Sequence, residues 1–124
     1  MKTIKVSEAT LIQLDWLVAV CLGGTNFWRD TVATYWIEID GKDRALSSKW
    51  SEVQSFHPTT NWGTIGEIIY RERISITSPT IGEWWARDSS GRNCRGGTNP
   101  LIAACRCYVA SKMGETVEVP EELG

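Results

Sequence analysis

Residues 98–114 read TNPLIAACRCYVASKMG and carry the strongest structural signal in this chain of 124 residues. Thr98 or Asn99 can cap a helix, and proline at the next position is favoured as a first helical residue because its missing N–H is not needed there. Apolar side chains then recur at helical spacing, and Gly114 is a typical stop signal. The sequence therefore predicts a C-terminal helix over Pro100–Met113.

The remaining elements are predicted to be one more main helix and several short strands. Apolar residues share one helical face from about Glu8 to Leu22, with Ser7 as the candidate N-cap. Alternating or β-branched segments predict strands over Lys2–Val6, Val32–Ile39, Ile68–Ile76, Glu83–Arg87 and Val117–Val119. The expected fold class is α+β, a small antiparallel sheet with two main helices, in a single domain over residues 1–124. Before Ile68, only a short helical turn ending at Ile65 is expected.

The composition limits the classes of function. Apolar residues make up 42% and charged residues 23% of the chain, as in an ordinary globular domain. A net charge of −2 creates no overall field for polyanions, so no nucleic-acid partner is expected. No stretch is long and apolar enough to cross a bilayer, and residues 11–22 are interrupted by polar side chains unlike a signal peptide. We therefore expect no membrane partner and a location in the cytoplasm.

The cysteines and the single histidine do not predict a metal centre. Their spacing matches none of the usual zinc-ligand patterns, and thiols stay reduced in the cytoplasm. Four structural thiols are the favoured interpretation, so no metal and no other cofactor is expected. The four cysteines are Cys21, Cys94, Cys105 and Cys107, and the histidine is His57.

Seven tryptophans are several times what a chain of this length usually carries. An indole combines a large apolar surface with one N–H donor, which suits cores, interfaces and pockets for flat ligands. Most of the seven are expected to be buried or half-buried. Trp62, Trp84 and Trp85 differ from the others because they lie in or beside polar segments that also contain arginines. Trp84 and Trp85 should point to opposite faces of their strand.

Three stretches of the chain form a recognisable set: LDWLVA at residues 14–19, FHPTTNW at 56–62 followed by IIYRE at 68–72, and NPLIAACRCYVASK at 99–112 followed by EVPEEL at 118–123. Together they resemble the NinX-like proteins of lambdoid bacteriophages. The pieces come in the family's order, and the chain departs from the family pattern at His57, where a small residue is more usual. The resemblance implies a small accessory protein made by a phage in the cytoplasm of its bacterial host. Such proteins often blunt host defence, some by sequestering a nucleotide immune signal.

The sequence contains little that points to catalysis. His57 is the only histidine, and a triad needs a nucleophile, a base and an orienting carboxylate. Glu67, Glu72 and Glu83 could act as acid and base, but their spacing singles none of them out. The glycines after residue 90 do not form a dinucleotide fingerprint, and no phosphate-binding P-loop is present. No catalytic residue is assigned, and an enzyme is the less favoured class.

The stronger signal is a possible anion site at the start of the C-terminal helix. A helix N-terminus presents unpaired N–H groups and a partial positive charge, and Gly96-Gly97 would let a ligand approach the backbone. Guanidinium groups bind phosphate with a planar fork, and a purine can stack on an indole. The alternative is that Thr98 or Asn99 merely caps the helix. The predicted ligand-binding residues are Trp62, Trp84, Trp85, Arg71, Arg87, Arg92, Arg95, Thr98 and Asn99.

These observations favour a non-catalytic protein that binds, and could sequester, a small phosphorylated ligand such as a host nucleotide signal. One alternative is a protein-interaction module that inhibits a host factor, since exposed tryptophans are common hot spots. Another is a hydrolase acting on such nucleotides. The expected partner is therefore a nucleotide-like small molecule, and a homodimer is compatible with each of the three hypotheses.

Overall fold

The computed structural model describes residues 1–51 and 53–124, and these residues form eight strands and three α-helices in an α+β arrangement. The strands are β1 Lys2–Lys5, β2 Thr25–Arg29, β3 Tyr35–Ile39, β4 Lys42–Ala45, β5 Ser75–Thr80, β6 Glu83–Arg87, β7 Asn93–Arg95 and β8 Thr116–Val119. The α-helices are α1 Leu11–Cys21, α2 Trp62–Glu72 and α3 Pro100–Met113. Short 3₁₀ turns cover Val6–Glu8 and Glu121–Leu123.

The predicted antiparallel pairing is confirmed, but the strands form three small sheets instead of one. β1 pairs with β8, β3 lies between β2 and β4, and β6 lies between β5 and β7. The sheets are separate because the helices lie between them: β3 and β8 contact α1, while β6 and β7 contact α3. A sheet face needs an apolar partner, and here two central helices provide it.

Helix α3 has the predicted bounds and forms the centre of the molecule. Eight of its side chains are buried, including Leu101, Cys105 and Tyr108 from the predicted apolar stripe, whereas Met113 is partly exposed. Ala103 and Cys107, outside that stripe, are also buried. Because α3 is covered by α1, α2 and the β6–β7 strands, it is enclosed on more sides than an amphipathic surface helix.

Helix α1 begins three residues later than predicted. Ser7 lies in a 3₁₀ turn and does not cap the helix. Thr10 is the N-cap: its hydroxyl accepts from the N–H of Gln13, and the Gln13 side chain accepts from the N–H of Thr10. This reciprocal capping box satisfies two helix-end donors at once, which explains why it prevails over an isolated serine.

The predicted strand over Ile68–Ile76 is wrong, because most of this segment belongs to helix α2. Asn61 caps the helix through a bond from the N–H of Gly63, and Ile65 and Ile68 point into the core one turn apart. The helix ends at Glu72, the following Arg73 has a left-handed φ of 55°, and β5 begins at Ser75. The high content of isoleucine suggested a strand. Strand propensity depends on context, however, and apolar side chains that face a core at spacings of three or four residues favour a helix.

Candidate functional site

The start of α3 is closed by the chain's own side chain. Asn99 Oδ1 accepts from the backbone N–H groups of Leu101 at 2.8 Å and Ile102 at 3.4 Å, while Pro100 has no N–H. The N–H of Ala103 donates to the carbonyl of Asn99 at 3.3 Å. Asn99 is therefore a helix cap, and the donors that the sequence suggested for a phosphate are already satisfied.

Arg92 and Arg95 do not converge on that helix start. The Arg92 guanidinium donates to the carbonyl of Ala110 at 2.7 Å, near the C-terminal end of α3, and lines a depression of about 240 Å³ with Asp88 and Lys112. Arg95 lies toward the opposite end of the short strand β7. Strand β7 runs alongside α3, and Arg92 and Arg95 are three residues apart in the chain. Their guanidiniums therefore lie beside different parts of α3.

Trp85, Arg95 and Glu83 form one local cluster. The Arg95 guanidinium lies 4.9 Å from the centre of the Trp85 ring, and the Trp85 Nε1–H donates to Glu83 at 2.8 Å. Arg95 Nε is 3.9 Å from the same carboxylate. Trp84 packs against the core instead, so the two tryptophans point to opposite faces as expected. One face of the Trp85 ring is thus covered by a guanidinium, which leaves less room for a stacked base.

The other predicted binding residues are distributed over the surface. Trp62 is the first residue of α2 and is 56% exposed, and Arg71, later in α2, pairs with Glu72. Arg87 ends β6 and is exposed, and Thr98 precedes the α3 cap and is also exposed. Across the described residues, no hydrogen bond, ion pair or ring contact links Trp62 to Trp84 or Trp85.

A different group of cations lines a concave depression of about 560 Å³ between β1, β7 and α3. Lys5 lies at the end of β1, Arg95 at the end of β7 and Arg106 in the middle of α3; we call this depression the cationic cleft. One acidic residue, Glu115, also lines it, together with uncharged polar residues that include Ser7 and Thr116. Arg95 is the only residue of the predicted site that lines this described depression.

Arg106 holds two walls of the cationic cleft together. Its guanidinium donates to the carbonyl of Arg95 at 2.9 Å and, at 3.5 Å, to that of Ala9. Its Nε is buried and has no hydrogen-bond partner among the described residues. Burial lowers the pKa of Arg106, although an arginine stays charged at neutral pH. An arginine between the apolar and small residues in the middle of α3 was a signal for this position, since charged groups are costly among buried neighbours.

A neighbouring depression of about 570 Å³ is less suited to an anion. It is lined by Lys2 and Lys5, but also by Glu8 and the C-terminal Gly124. Lys2 Nζ donates to the Gly124 carbonyl at 2.6 Å, so this ammonium already has a partner. The cationic cleft therefore has the larger excess of positive charge.

The side chains considered for catalysis are apart from one another. His57 Nδ1 is 2.6 Å from Thr60 Oγ1, a contact within a single turn. Lys112 donates to Glu72 at 2.7 Å, and this bond lowers the pKa of Glu72. Glu67 is exposed on α2, and Glu83 belongs to the Trp85 cluster. In the part of the chain that the structure describes, no three histidine, cysteine or acidic side chains come together as metal ligands.

Cys94 lines the cationic cleft and is the most readily ionised of the four thiols. The neighbouring Cys107 thiol acts as a donor to Cys94 and lowers the pKa of Cys94, whereas it raises that of Cys107. Burial raises the pKa of Cys21 to about 11 and raises that of Cys105 as well. Since the thiolate is the reactive form, the four cysteines should differ in reactivity.

We expect iodoacetamide at pH 7.5 to alkylate Cys94 several times faster than Cys21. Both side chains are half-buried, so the difference between their alkylation rates depends more on how easily each thiol ionises than on how well the reagent reaches it. Buried Cys105 and Cys107 should react only after unfolding. Peptide mapping by mass spectrometry after short exposures measures all four rates. Equal rates at Cys94 and Cys21 would contradict this assignment.

Comparison with known proteins places the chain in one family. The family model described as "Bacteriophage P22, NinX" matches residues 5–112, which is most of the chain. No curated protein matches the chain. No helix within residues 1–51 and 53–124 has the length and apolar character required to cross a membrane. The match runs from β1 nearly to the end of α3 and so includes Lys5, Arg95 and Arg106. The chain therefore belongs to the bacteriophage P22 NinX family.

Proposed function

We propose that this phage-family protein is a non-catalytic binder of a small phosphorylated ligand, and that the cationic cleft is its binding site. The supporting observation is that three cationic side chains from three separate elements surround one depression that contains a single carboxylate. Its volume of about 560 Å³ falls within the range of small-molecule sites, roughly 300–1,000 Å³. Sequestration of a host nucleotide signal is the role that such binding would serve.

The donors around the cationic cleft match the chemistry of a phosphate group. Arg95 has a side chain that is 73% exposed, so its guanidinium can turn toward a ligand. Lys5 supplies a compact charge, while Ser7 and Thr116 supply hydroxyl groups. Arg106 adds a third positive charge, and its guanidinium is held in place by the carbonyls of Arg95 and Ala9. Hydrogen bonds between guanidinium groups and phosphate are shorter and stronger than neutral ones.

The proposal moves the ligand away from the start of α3 and retains part of the predicted set. Arg95 stays as a direct contact, and Trp85 stays as the ring that supports its guanidinium. The other predicted residues lie outside the cationic cleft: Trp62, Trp84, Arg71, Arg87, Arg92, Thr98 and Asn99.

Titration calorimetry against inorganic phosphate, nucleoside monophosphates, cyclic dinucleotides and ADP-ribose tests the proposal. We expect at least one nucleotide to bind with a micromolar or lower Kd, and Lys5→Gln combined with Arg95→Gln to weaken that binding at least tenfold. Each lost charge-assisted contact contributes about 1.5–3 kcal/mol, which corresponds to a tenfold or larger change. Bound ligand should also protect Cys94 from iodoacetamide.

Matched substitutions provide the control. Lys42 is an exposed lysine in a strand like Lys5, and Arg29 is an exposed arginine that lies over Tyr35 as Arg95 lies over Trp85. Lys42→Gln combined with Arg29→Gln should leave the Kd unchanged. The absence of heat with every compound at 100 μM protein would refute ligand binding, as would equal losses in the two double variants. Recovery of hydrolysed nucleotide would instead support the hydrolase alternative. Light scattering of the complex would show whether the protein binds its ligand as a homodimer.

A further inference from the structure

Three tryptophans form a stacked cluster on the sheet made by β2, β3 and β4. The rings of Trp28 and Trp36 lie on adjacent strands, nearly parallel, with centres 5.6 Å apart. Trp50, from the loop after β4, packs edge-on against Trp36 at 5.0 Å. Trp36 is only 8% exposed, whereas Trp28 and Trp50 keep 42% and 39% of their surface in solvent. We call these three residues the tryptophan face.

The tryptophan face lies on the side of the sheet away from the core. Strand side chains alternate between the two faces, so Trp36 and Glu38 point one way while Ile37 and Ile39 point the other way into the core. No described side chain of α1, α2 or α3 forms a ring contact with Trp28, Trp36 or Trp50. Trp28 and Trp50 thus keep an exposed apolar surface on either side of the buried Trp36.

The border of the tryptophan face is acidic. Asp30 accepts from Trp36 Nε1 at 2.9 Å, and Trp28 Nε1 donates to Asp43 at 3.5 Å. Glu38 is the cross-strand partner of Asp43, so the two carboxylates lie on the same face as Trp36. The hydrogen bond from Trp36 is the main cause that lowers the pKa of Asp30 below its ordinary value. These carboxylates form no ion pair with any described cation.

The cations of the same sheet are directed elsewhere. Lys42 and Arg44 oppose Ile39 and Ile37 in the register, so they share the other face of the sheet. Arg29 lies over the ring of Tyr35, which also belongs to that other face. Lys49 precedes Trp50 in its loop and forms no ion pair with a described carboxylate. Negative charge is thus concentrated where the indole rings are exposed.

We propose that the tryptophan face docks a basic segment of a protein partner through an arginine side chain. A guanidinium can stack on an indole while its fork pairs with a neighbouring carboxylate, and the face supplies both groups side by side. The two half-exposed indoles are much smaller in area than a standard interface of roughly 800 Å² per partner, so a short segment fits better than a large flat surface. Tryptophan is also the residue type most enriched among interface hot spots.

The test uses an arginine hexapeptide and a glutamate hexapeptide, titrated into the ¹⁵N-labelled protein at 150 mM salt. The indole N–H signals report each tryptophan separately. We expect the arginine peptide to shift the signals of Trp28, Trp36 and Trp50 and to leave that of Trp62 in place. Trp28→Phe and Asp43→Asn should each weaken binding about fivefold or more. The glutamate peptide should cause no shift.

Trp62→Phe is the matched control, because Trp62 is also exposed but lies on α2. Asp43→Asn tests the charge without altering the aromatic packing, so the result does not depend on Trp28→Phe folding well. Equal shifts at all exposed indoles, or unchanged affinity in Asp43→Asn, would overturn the proposal. A dimer that forms through the tryptophan face without peptide would also overturn it, since the occupant would then be a second copy of this chain. All three outcomes are independent of ligand binding in the cationic cleft.

Discussion

Replacement of Gly96 by alanine should lower the free energy of unfolding by about 3 kcal/mol, the upper part of the usual range for overpacking. A Cβ at this position would lie 2.3 Å from the Ala103 backbone nitrogen and 2.5 Å from the Asn99 carbonyl oxygen. These are backbone atoms of the first turn of α3, so relief would require the helix to move away from β6. Gly96 also donates its N–H to the Trp84 carbonyl at 2.8 Å, which fixes it on the other side.

Gly97→Ala is the control for this prediction. A Cβ at Gly97 would meet nothing within 4 Å, and the substitution has only a left-handed φ of 59° to accommodate, which costs roughly 1–2 kcal/mol. Urea unfolding followed by circular dichroism measures both variants. If Gly97→Ala were as destabilising as Gly96→Ala, close packing of β6 on α3 would not be the reason for a glycine at position 96.

Asp15→Asn should stabilise the protein at pH 7.5 by about 4 kcal/mol and have little effect near pH 4. Asp15 is buried in α1, and its carboxylate accepts from the N–H of Thr59 at 2.9 Å. Burial raises the pKa of Asp15 from 3.8 to about 7, although the bonds from Thr59 act in the opposite direction. Each unit of difference between the folded and unfolded pKa corresponds to about 1.4 kcal/mol. An asparagine accepts the same N–H without a charge.

The sign follows from proton binding by the two states. The folded protein holds the Asp15 proton more tightly than the unfolded chain does, so this group favours folding below pH 4. That contribution is lost as the pH rises from about 4 to about 7. Urea unfolding of the wild type and Asp15→Asn across this interval isolates the effect from other titrating groups. A stability difference that does not change with pH would show that Asp15 does not titrate in this interval.

Helix α3 was predictable because its signals are local. A cap, a proline at the first position, recurring apolar residues and a terminal glycine all act within a few residues of one another. Helix α2 was not predicted in full, because its isoleucines fit both a strand and a helix until their spacing is compared with the position of the core. A short helical turn ending at Ile65 was predicted, so the length of the helix was underestimated.

The candidate site could be predicted only in part. Arg95 was identified from the composition of its loop, and it lines the cationic cleft. Lys5 and Arg106 were missed, because they are far from Arg95 in the chain and no local pattern connects them. Arg92 was included because it is close to Arg95 in sequence, but β7 directs it to the other end of α3. The excess of tryptophan drew attention to Trp62, Trp84 and Trp85, but the tryptophans that cluster are Trp28, Trp36 and Trp50.

The amino-acid sequence alone determined the α+β class, the bounds of α3, the helix cap options and the family resemblance. These depend on backbone preferences and side-chain periodicity, which act over one or two turns of chain. The tertiary structure decided that Asn99 consumes the free N–H groups of α3, that three distant cations surround one depression, and that two half-exposed indoles pack on a buried third in an acidic setting. Such arrangements depend on which strands pair and which helices enclose them, and the free energy of those long-range contacts is not encoded in any single segment.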